Sequence, residues 1–227
     1  MRRLRLLLCA LLAGLCGTSQ ATDAADPTIW RGNFLVAKQG ALFSPCRSGE
    51  RFVLDDATPG RALEAAYRAL ARRRGRPIFV EFTGLRAGAG ATTSTSTTAT
   101  IRATRFERAL ADGPGCREEL EGVRLRAYGF NPFIQVEMRA DSVFLRLRPS
   151  GAPTEYAGAA LRIEGGEARS ESVTAAAVLR LRIRAKPCRE QLSSAMFSYE
   201  AFIEVDGKRY ASCAYWGDLG PIPDLPR

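Results

Sequence analysis

The chain of 227 residues contains no histidine, and this absence removes most familiar enzyme mechanisms. A Ser-His-Asp triad or a Cys-His pair needs an imidazole, which is also the commonest general base. Lysine is scarce as well, occurring at Lys38, Lys186 and Lys208. A Ser-Lys dyad would have to use Ser193 or Ser194, and turn serines beside solvated lysines explain the same residues. No glycine-rich loop opens a helix after a strand, so nucleotide binding has no support. The sequence predicts a protein that is not an enzyme and carries no cofactor.

The sequence also lacks an apolar run of the about 20 residues that a membrane-spanning helix needs. The shorter run Leu6–Leu15 follows three arginines and precedes small residues that end at Ala21. This order is typical of a secretory signal peptide. We expect residues 1–21 to be cleaved after Ala21 and the mature protein to lie in the periplasm without a transmembrane segment. Lipid attachment at Cys16 is the alternative, although lipoprotein processing favours a small residue where this chain has Leu15.

Four cysteines follow the predicted signal peptide, at Cys46, Cys116, Cys188 and Cys213. In an oxidising compartment such cysteines form disulfides, and four of them allow three pairings. The sequential pairing keeps each bridge inside one predicted domain, and we expect Cys46 to pair with Cys116 and Cys188 with Cys213. A metal site is the rival interpretation, but the chain has no CxxC spacing and no imidazole to complete such a site.

The first half has the pattern of short strands around one helix, over residues 28–116. Turn residues separate the apolar runs, and one segment has apolar residues at helical spacing. The predicted elements are two strands within Ile29–Phe43, a strand at Arg51–Leu54, a helix at Arg61–Arg74, strands at Ile78–Phe82 and Ile101–Leu110, and a mobile loop at Ala87–Thr100 before the last strand. Five strands with one helix in this order are compatible with an OB-fold, which is a partly open barrel.

Four segments of this half resemble a known family, the C-terminal OB domain of NlpE-type envelope lipoproteins. They are Gly32–Val36, Ala41–Phe52, Pro77–Glu81 and Gly115–Cys116. The resemblance implies a disulfide between Cys46 and Cys116 and a part in sensing surface contact or folding stress. It implies no metal chemistry, because the CxxC motif of the family lies in another domain and is absent from this chain.

The second half, residues 122–218, alternates apolar and polar residues and is poor in helix signals. Period-two alternation is typical of antiparallel strands with one buried face. The predicted strands are Val123–Arg126, Phe133–Met138, Val143–Arg148, Tyr156–Ile163, Ser170–Thr174, Val178–Arg184, Tyr199–Val205 and Arg209–Tyr215. We expect a mainly β protein in which the OB-like barrel is followed by a small antiparallel β-barrel and a proline-rich tail at residues 219–227.

Three segments of the second half resemble a group of uncharacterised bacterial envelope proteins. Gly129–Ile134 corresponds to their Gly-Asn-Glu-Pro-Phe-Trp motif, while Cys188–Ala201 and Ser212–Ala214 correspond to a later cysteine-containing segment. The chain departs from the group at Phe130, Asn131, Ile134, Glu190, Leu192, Phe197 and Ser198. The group implies no established activity, and these departures put any ligand of its polar cluster in doubt.

Arginines cluster on the outward positions of the predicted second barrel. They are Arg124, Arg126, Arg146, Arg148, Arg180, Arg182 and Arg184. The formal net charge of the chain is +9. Since like charges opposite one another destabilise a sheet, either Glu137, Glu164 and Glu171 intervene or an anionic envelope surface such as lipid-A phosphates is the partner. Because the sequence predicts export from the cytoplasm, we do not expect nucleic acid to be a partner.

These observations predict a non-enzymatic envelope protein that acts as an interaction or stress-sensing module. The alternative is a periplasmic carrier that holds a small hydrophobic or anionic ligand inside the second barrel. A barrel of this size either encloses one small ligand or fills with its own side chains. A filled interior with exposed patches would favour the interaction module, whereas an apolar cavity with a few converging polar groups would favour the carrier.

Overall fold

The structure is a computed structural model of the chain. It describes residues 27–71, 73, 75–87, 99–174 and 177–226. The predicted signal peptide, the candidate lipidation site Cys16 and positions 88–98 of the predicted loop lie outside the described residues.

The first half folds into a closed five-stranded barrel with one helix. Its elements are β1 (Thr28–Ala37), β2 (Gly40–Pro45), β3 (Phe52–Asp56), a 3-10 turn (Pro59–Arg61), α1 (Ala62–Leu70), β4 (Ile78–Ala87) and β5 (Thr100–Leu110). The order β5-β3-β2-β1-β4 is closed by pairing of β4 with β5, and β3 runs parallel to β5. This is the predicted OB-like barrel.

Helix α1 is shorter than the predicted Arg61–Arg74. Its buried residues are Leu63, Ala66, Tyr67 and Leu70, at the spacing of one helix face. Arg61 lies in the left-handed region at φ 52°, and Ala71 is extended, so the helix ends where its apolar repeat ends. The prediction was too long because it continued through the polar residues beyond Leu70.

The barrel is filled by aromatic side chains, and one glycine allows its first two strands to approach closely. Phe34, Phe43 and Phe82 are fully buried, with the ring centroids of Phe43 and Phe82 at 5.0 Å. A Cβ atom on Gly32 would lie 2.2 Å from the carbonyl oxygen of Ser44. Any larger residue at position 32 would therefore separate β1 from β2.

The second half contributes eleven strands after a 3-10 turn at Gly115–Arg117. They are β6 (Leu125–Phe130), β7 (Phe133–Met138), β8 (Ser142–Arg146), β9 (Thr154–Ala157), β10 (Arg162–Glu164), β11 (Glu167–Val173), β12 (Val178–Arg184), β13 (Cys188–Arg189), β14 (Met196–Phe197), β15 (Tyr199–Val205) and β16 (Lys208–Trp216). Nine of these strands form an antiparallel sheet in the order β10-β11-β12-β15-β16-β6-β7-β8-β9. This sheet curls into a half-barrel, the form that the predicted antiparallel barrel takes.

The predicted strand Tyr156–Ile163 is in fact two strands on opposite edges of this sheet. β9 ends at Ala157 and β10 begins at Arg162, with Gly158 between them at φ 72°. The curl brings the β9 edge near β11, where the hydroxyl of Ser172 donates to the carbonyl of Ala157 at 2.7 Å. A turn inside an apolar run leaves the alternation pattern almost unchanged, so the sequence did not reveal the break.

The remaining two strands, β13 and β14, join the sheet of the first barrel. Phe197 lies opposite Arg108 and Met196 opposite Ala109 on β5. The backbone amide of Ser198 also donates to the carbonyl of Glu107 at 2.8 Å. The two halves of the chain therefore share a sheet. The sequence does not predict this link, because strands of two residues are too short to show an alternating pattern.

The inner face of the curled sheet is filled by side chains. Its fully buried residues include Leu125, Ile134 and Met138, and the C-terminal tail packs Ile222 and Leu225 against the same core. The predicted proline-rich tail thus contributes apolar contacts to the second half.

Phe197 offers a test of how the two halves are joined. Its ring is 1% exposed and packs against the apolar cluster between them, so Phe197→Ala should lower the free energy of unfolding by about 3–5 kcal/mol. Leu192, which is 71% exposed in the same hairpin, is the control, and Leu192→Ala should change it by no more than about 0.5 kcal/mol. Urea unfolding of the disulfide-intact protein measures both. Equal losses would contradict the shared core.

Candidate functional site

The most unusual group of side chains lies where the barrel meets the curled sheet. Arg108 on β5 is 1% exposed, and its Nε donates to a carboxylate oxygen of Glu81 at 2.8 Å. Its Nη2 lies 2.7 Å from Oε2 of Glu118, as an ion pair without hydrogen-bond alignment. Its guanidinium carbon stands 3.8 Å from the ring centroid of Tyr215 on β16. One buried cation thus contacts the barrel, the connecting segment and the curled sheet.

Further ion pairs surround this cation on both sides. Arg31 on β1 donates to Glu81 at 3.0 Å. Arg126 on β6 donates to Glu118 at 2.9 Å and lies 2.7 Å from Glu137. Each carboxylate that faces Arg108 is therefore shared with a second arginine. Together with Arg108 and Tyr215, we call these side chains the junction cluster.

Burial and pairing shift the pKa values of the junction cluster. Burial alone would raise the pKa of Glu118, but the charge of Arg108 and hydrogen bonds from Tyr215 and Arg126 outweigh it and hold the pKa below its usual value. Burial opposes the charge of Arg108, yet Glu81 keeps its pKa above the ordinary arginine value. Burial also raises the pKa of Tyr215. The carboxylate of Glu118 and the guanidinium group of Arg108 therefore stay ionised at neutral pH.

Both disulfides lie beside the junction cluster. Cys46 is joined to Cys116 with Cα atoms 5.2 Å apart, and Cys188 to Cys213 with Cα atoms 5.5 Å apart, which is the sequential pairing. They contact one apolar cluster, which we call the junction core: Phe79, Leu110, Leu120, Val123, Ala195, Phe197, Cys213 and Tyr215, with Cys46, Cys116, Cys188 and Tyr128 packed against it. Each bridge is thus part of the contact between the two halves.

The predicted arginine patch is spread over distant strands. Arg180, Arg182 and Arg184 lie on β12, three places from β6 in the sheet, while Arg146 lies two further places away on β8. The remaining members are Arg124, immediately before β6, Arg126 on β6, and Arg148, just after β8. At about 4.8 Å per strand, β12 and β8 are about 24 Å apart along the sheet. The structure therefore brings together the three arginines of β12 but separates them from the others.

Glutamates stand next to several of these arginines. Arg180 pairs with Glu171 at 3.3 Å and with Glu204 at 3.1 Å. Arg126 pairs with Glu137, as described above. The sequence suggested that three glutamates neutralise these arginines. Two of the three, Glu137 and Glu171, form such ion pairs.

The segments that resemble the second envelope group meet beside the Cys188–Cys213 disulfide. Residues 129–131 and 188–191 line a cavity of about 210 Å³ there. Glu190 accepts hydrogen bonds from the amide of Ser193 at 2.6 Å and from its hydroxyl at 2.8 Å. Burial opposes ionisation of Glu190, but these bonds keep its pKa below the usual value. The carboxylate therefore stabilises its own turn.

Two of the residues considered for a dyad, Ser193 and Lys186, are engaged elsewhere. Ser193 is bonded to Glu190, and Lys186 pairs with Glu200 at 3.0 Å. Within the described ranges, no group of three or more potential metal ligands occurs. In the same part of the chain, no helix has the length and apolar character to cross a bilayer.

Sequence reasoning missed the junction cluster, although one signal was present. Glu81 sits inside the apolar strand run that begins at Ile78, and Arg108 occupies a comparable position near the end of β5. A charged residue in a strand that is otherwise buried needs a partner, because an isolated buried charge is strongly unfavourable. The sequence does not say which partner, since the pairing joins residues far apart in the chain.

The fold defines a mainly β protein built on a closed OB barrel that is fastened to a curled antiparallel sheet. Residues 24–117 match the family model described as the NlpE C-terminal OB domain. No curated protein and no solved structure matches the chain. The first barrel is thus an OB domain of the NlpE type, as the motifs predict, and the chain carries a module similar to that of an envelope lipoprotein.

Arg108→Met tests the junction cluster. It leaves Glu81 and Glu118 buried with one arginine each, so we expect a loss of about 3 kcal/mol, the lower end for breaking a buried ion pair. Arg102→Met on the same strand is the control, because Arg102 is exposed and faces Asp55 at 3.6 Å, a surface pair worth about 0–1 kcal/mol. Urea unfolding measures both variants. If Arg108→Met lowers the free energy of unfolding no more than the control does, the junction cluster contributes no more than a surface ion pair.

The lowered pKa of Glu118 predicts a pH-dependent contribution to stability. The unfolded carboxyl has its ordinary pKa of 4.5 and the folded one lies lower, so its stabilisation is complete above that pH and is lost as pH falls through the folded pKa. Thermal unfolding of the wild type and Glu118→Gln should therefore differ most near neutral pH and converge in acid. A difference that stays constant down to strongly acidic pH would contradict this assignment.

Proposed function

We propose that the chain is a non-enzymatic interaction module of the bacterial envelope that senses oxidation and folding state through its junction. One observation carries the proposal: both disulfides contact the same apolar core that joins the barrel to the curled sheet. A change in either bridge is therefore a change in how the two halves are held. The match of the barrel to the NlpE C-terminal OB domain supports an envelope context for this arrangement.

The two bridges fasten different parts of the junction. The Cys188–Cys213 bridge ties β13, a strand of the barrel sheet, to β16 of the curled sheet. The Cys46–Cys116 bridge ties the end of β2 to the 3-10 turn from which the chain leaves the barrel. With sequence separations of 70 and 25 residues, the chain-entropy model assigns them about 4 and about 3.5 kcal/mol. Loss of either is large beside the net stability of a domain.

The chemistry of the described residues supports a role without catalysis. The chain has no histidine, and the buried carboxylates Glu81 and Glu118 are each held by two arginines. Groups that are saturated in this way hold structure together instead of exchanging protons with a substrate.

The filled inner face of the curled sheet favours an interaction module over a carrier. Apolar side chains from its strands and from the tail occupy that face. A cavity of about 660 Å³ lies on the outer face instead, and charged side chains form about half of its lining. A ligand would therefore meet the outside of the sheet.

The double variant Cys188→Ser/Cys213→Ser tests the sensing role. Without the bridge, the β13–β14 hairpin should leave β5 more often, so amide hydrogen exchange at Met196 and Phe197 should accelerate while β1 and β2 remain protected. The output of an envelope-stress reporter should change in parallel. Ser212→Ala is the control, since the buried hydroxyl of Ser212 has no hydrogen-bond partner among the described residues and its removal should alter neither readout. Faster exchange of the hairpin with an unchanged reporter would contradict the proposal.

A further inference from the structure

The outer face of the curled sheet carries a row of arginines that the sequence patterns did not reveal. Arg162 on β10 lies directly opposite Arg169 on β11, and Arg169 lies directly opposite Arg182 on β12. The next residue in the row is Phe202 on β15. Like charges in directly opposed positions destabilise a sheet, so this row weakens the folded state unless an anion neutralises it.

The row lines a cavity of a size suited to a small ligand. The cavity measures about 660 Å³, within the range of about 300–1,000 Å³ that small-molecule sites occupy. Five arginines and three glutamates contribute to its lining. The cavity is therefore cationic overall.

The glutamates neutralise only part of this charge. Arg169 pairs with Glu167 at 2.7 Å, Arg180 pairs with Glu171 and Glu204, and Arg209 pairs with Glu204 at 3.4 Å. Within the described part of the chain, Arg162 and Arg182 form no ion pair. Two guanidinium groups thus remain for an external anion.

Phe202 holds one of these two groups in place. The guanidinium carbon of Arg182 lies 5.3 Å from the centroid of the Phe202 ring, a distance at which a cation and an aromatic face attract each other. A guanidinium stacked in this way still presents its fork of N–H donors at the edge. Phe202 is therefore a positioning residue for Arg182.

We propose that this cavity binds a ligand with phosphate groups, for which Arg162 and Arg182 supply the unpaired guanidinium forks. The two arginines stand two strands apart, about 10 Å along the sheet, a spacing that long arginine side chains can bridge to one dianionic phosphate or use to hold two separate ones. Phosphate offers three acceptor oxygens and two charges, which suit bidentate donation from more than one arginine. This site goes beyond the proposed sensing function and does not depend on it.

Binding is tested with fructose 1,6-bisphosphate by isothermal calorimetry and with vesicles by sedimentation. The vesicles are phosphatidylcholine with or without phosphatidic acid, whose headgroup is also a phosphomonoester. Arg182→Gln and Arg162→Gln should each weaken binding by about tenfold, the value of one hydrogen-bonded charge contact. Arg148→Gln is the control with the same change of charge, because Arg148 is exposed and lies outside the cavity.

Binding of the bisphosphate assigns the site to a free organic phosphate, and binding of the phosphatidic acid vesicles alone assigns it to a membrane headgroup. Phe202→Leu should weaken binding through Arg182 and leave the effect of Arg162→Gln intact. Since Arg182→Gln relieves repulsion in the row, its melting temperature without ligand should equal or exceed that of the wild type. No binding to either probe, or equal weakening by Arg148→Gln, would overturn the proposal.

Discussion

The buried guanidinium of Arg108 is the contact on which the arrangement of the two halves depends. It leaves β5 of the barrel, meets carboxylates from β4 and from the connecting segment, and packs on the ring of Tyr215 in the curled sheet. Such a cluster adds little net stability over a well-packed apolar contact, because desolvation offsets the attraction between the charges. Its geometry is restrictive, however, because any shift of one half against the other would leave a buried charge without its partner. The apolar junction core therefore supplies stability, while the junction cluster selects one way of docking.

The way in which the two halves dock determines which surfaces remain open to partners. Docking buries the end of β5, and β13 and β14 continue the barrel sheet beyond it. The inner face of the curled sheet is occupied by its own side chains and the tail. What lies outward is the charged face of β10, β11, β12, β15 and β16, where glutamates and arginines alternate along one row and arginines follow one another along the next. The charges of the first row neutralise one another. The second row has an excess of positive charge, which a bound anion would neutralise.

The limits of prediction follow from how far apart in the chain the interacting residues are. The alternation of apolar and polar residues predicted three strands with their observed bounds: Phe133–Met138, Val178–Arg184 and Tyr199–Val205. It succeeds there because successive side chains of a half-buried strand point in turn to the core and to solvent. The five barrel strands and the helix were also predicted, although the helix was drawn too long. The β13–β14 hairpin was missed since two-residue strands have no period. The partners of Arg108 and the row of Arg162, Arg169 and Arg182 depend on register between strands, which one sequence does not contain.

In the proposed sensing role, the charges and the disulfides act on the same event. While the junction is closed, the low effective dielectric strengthens the attraction between Arg108 and its two carboxylates. If a bridge is reduced and the halves separate slightly, water enters and that attraction falls steeply, so the first movement weakens the contacts that oppose the second. An apolar junction of the same size would lose its contacts in proportion to the area exposed. The ionic contact makes opening more nearly all-or-none, and two bridges in one junction core let the loss of either begin it.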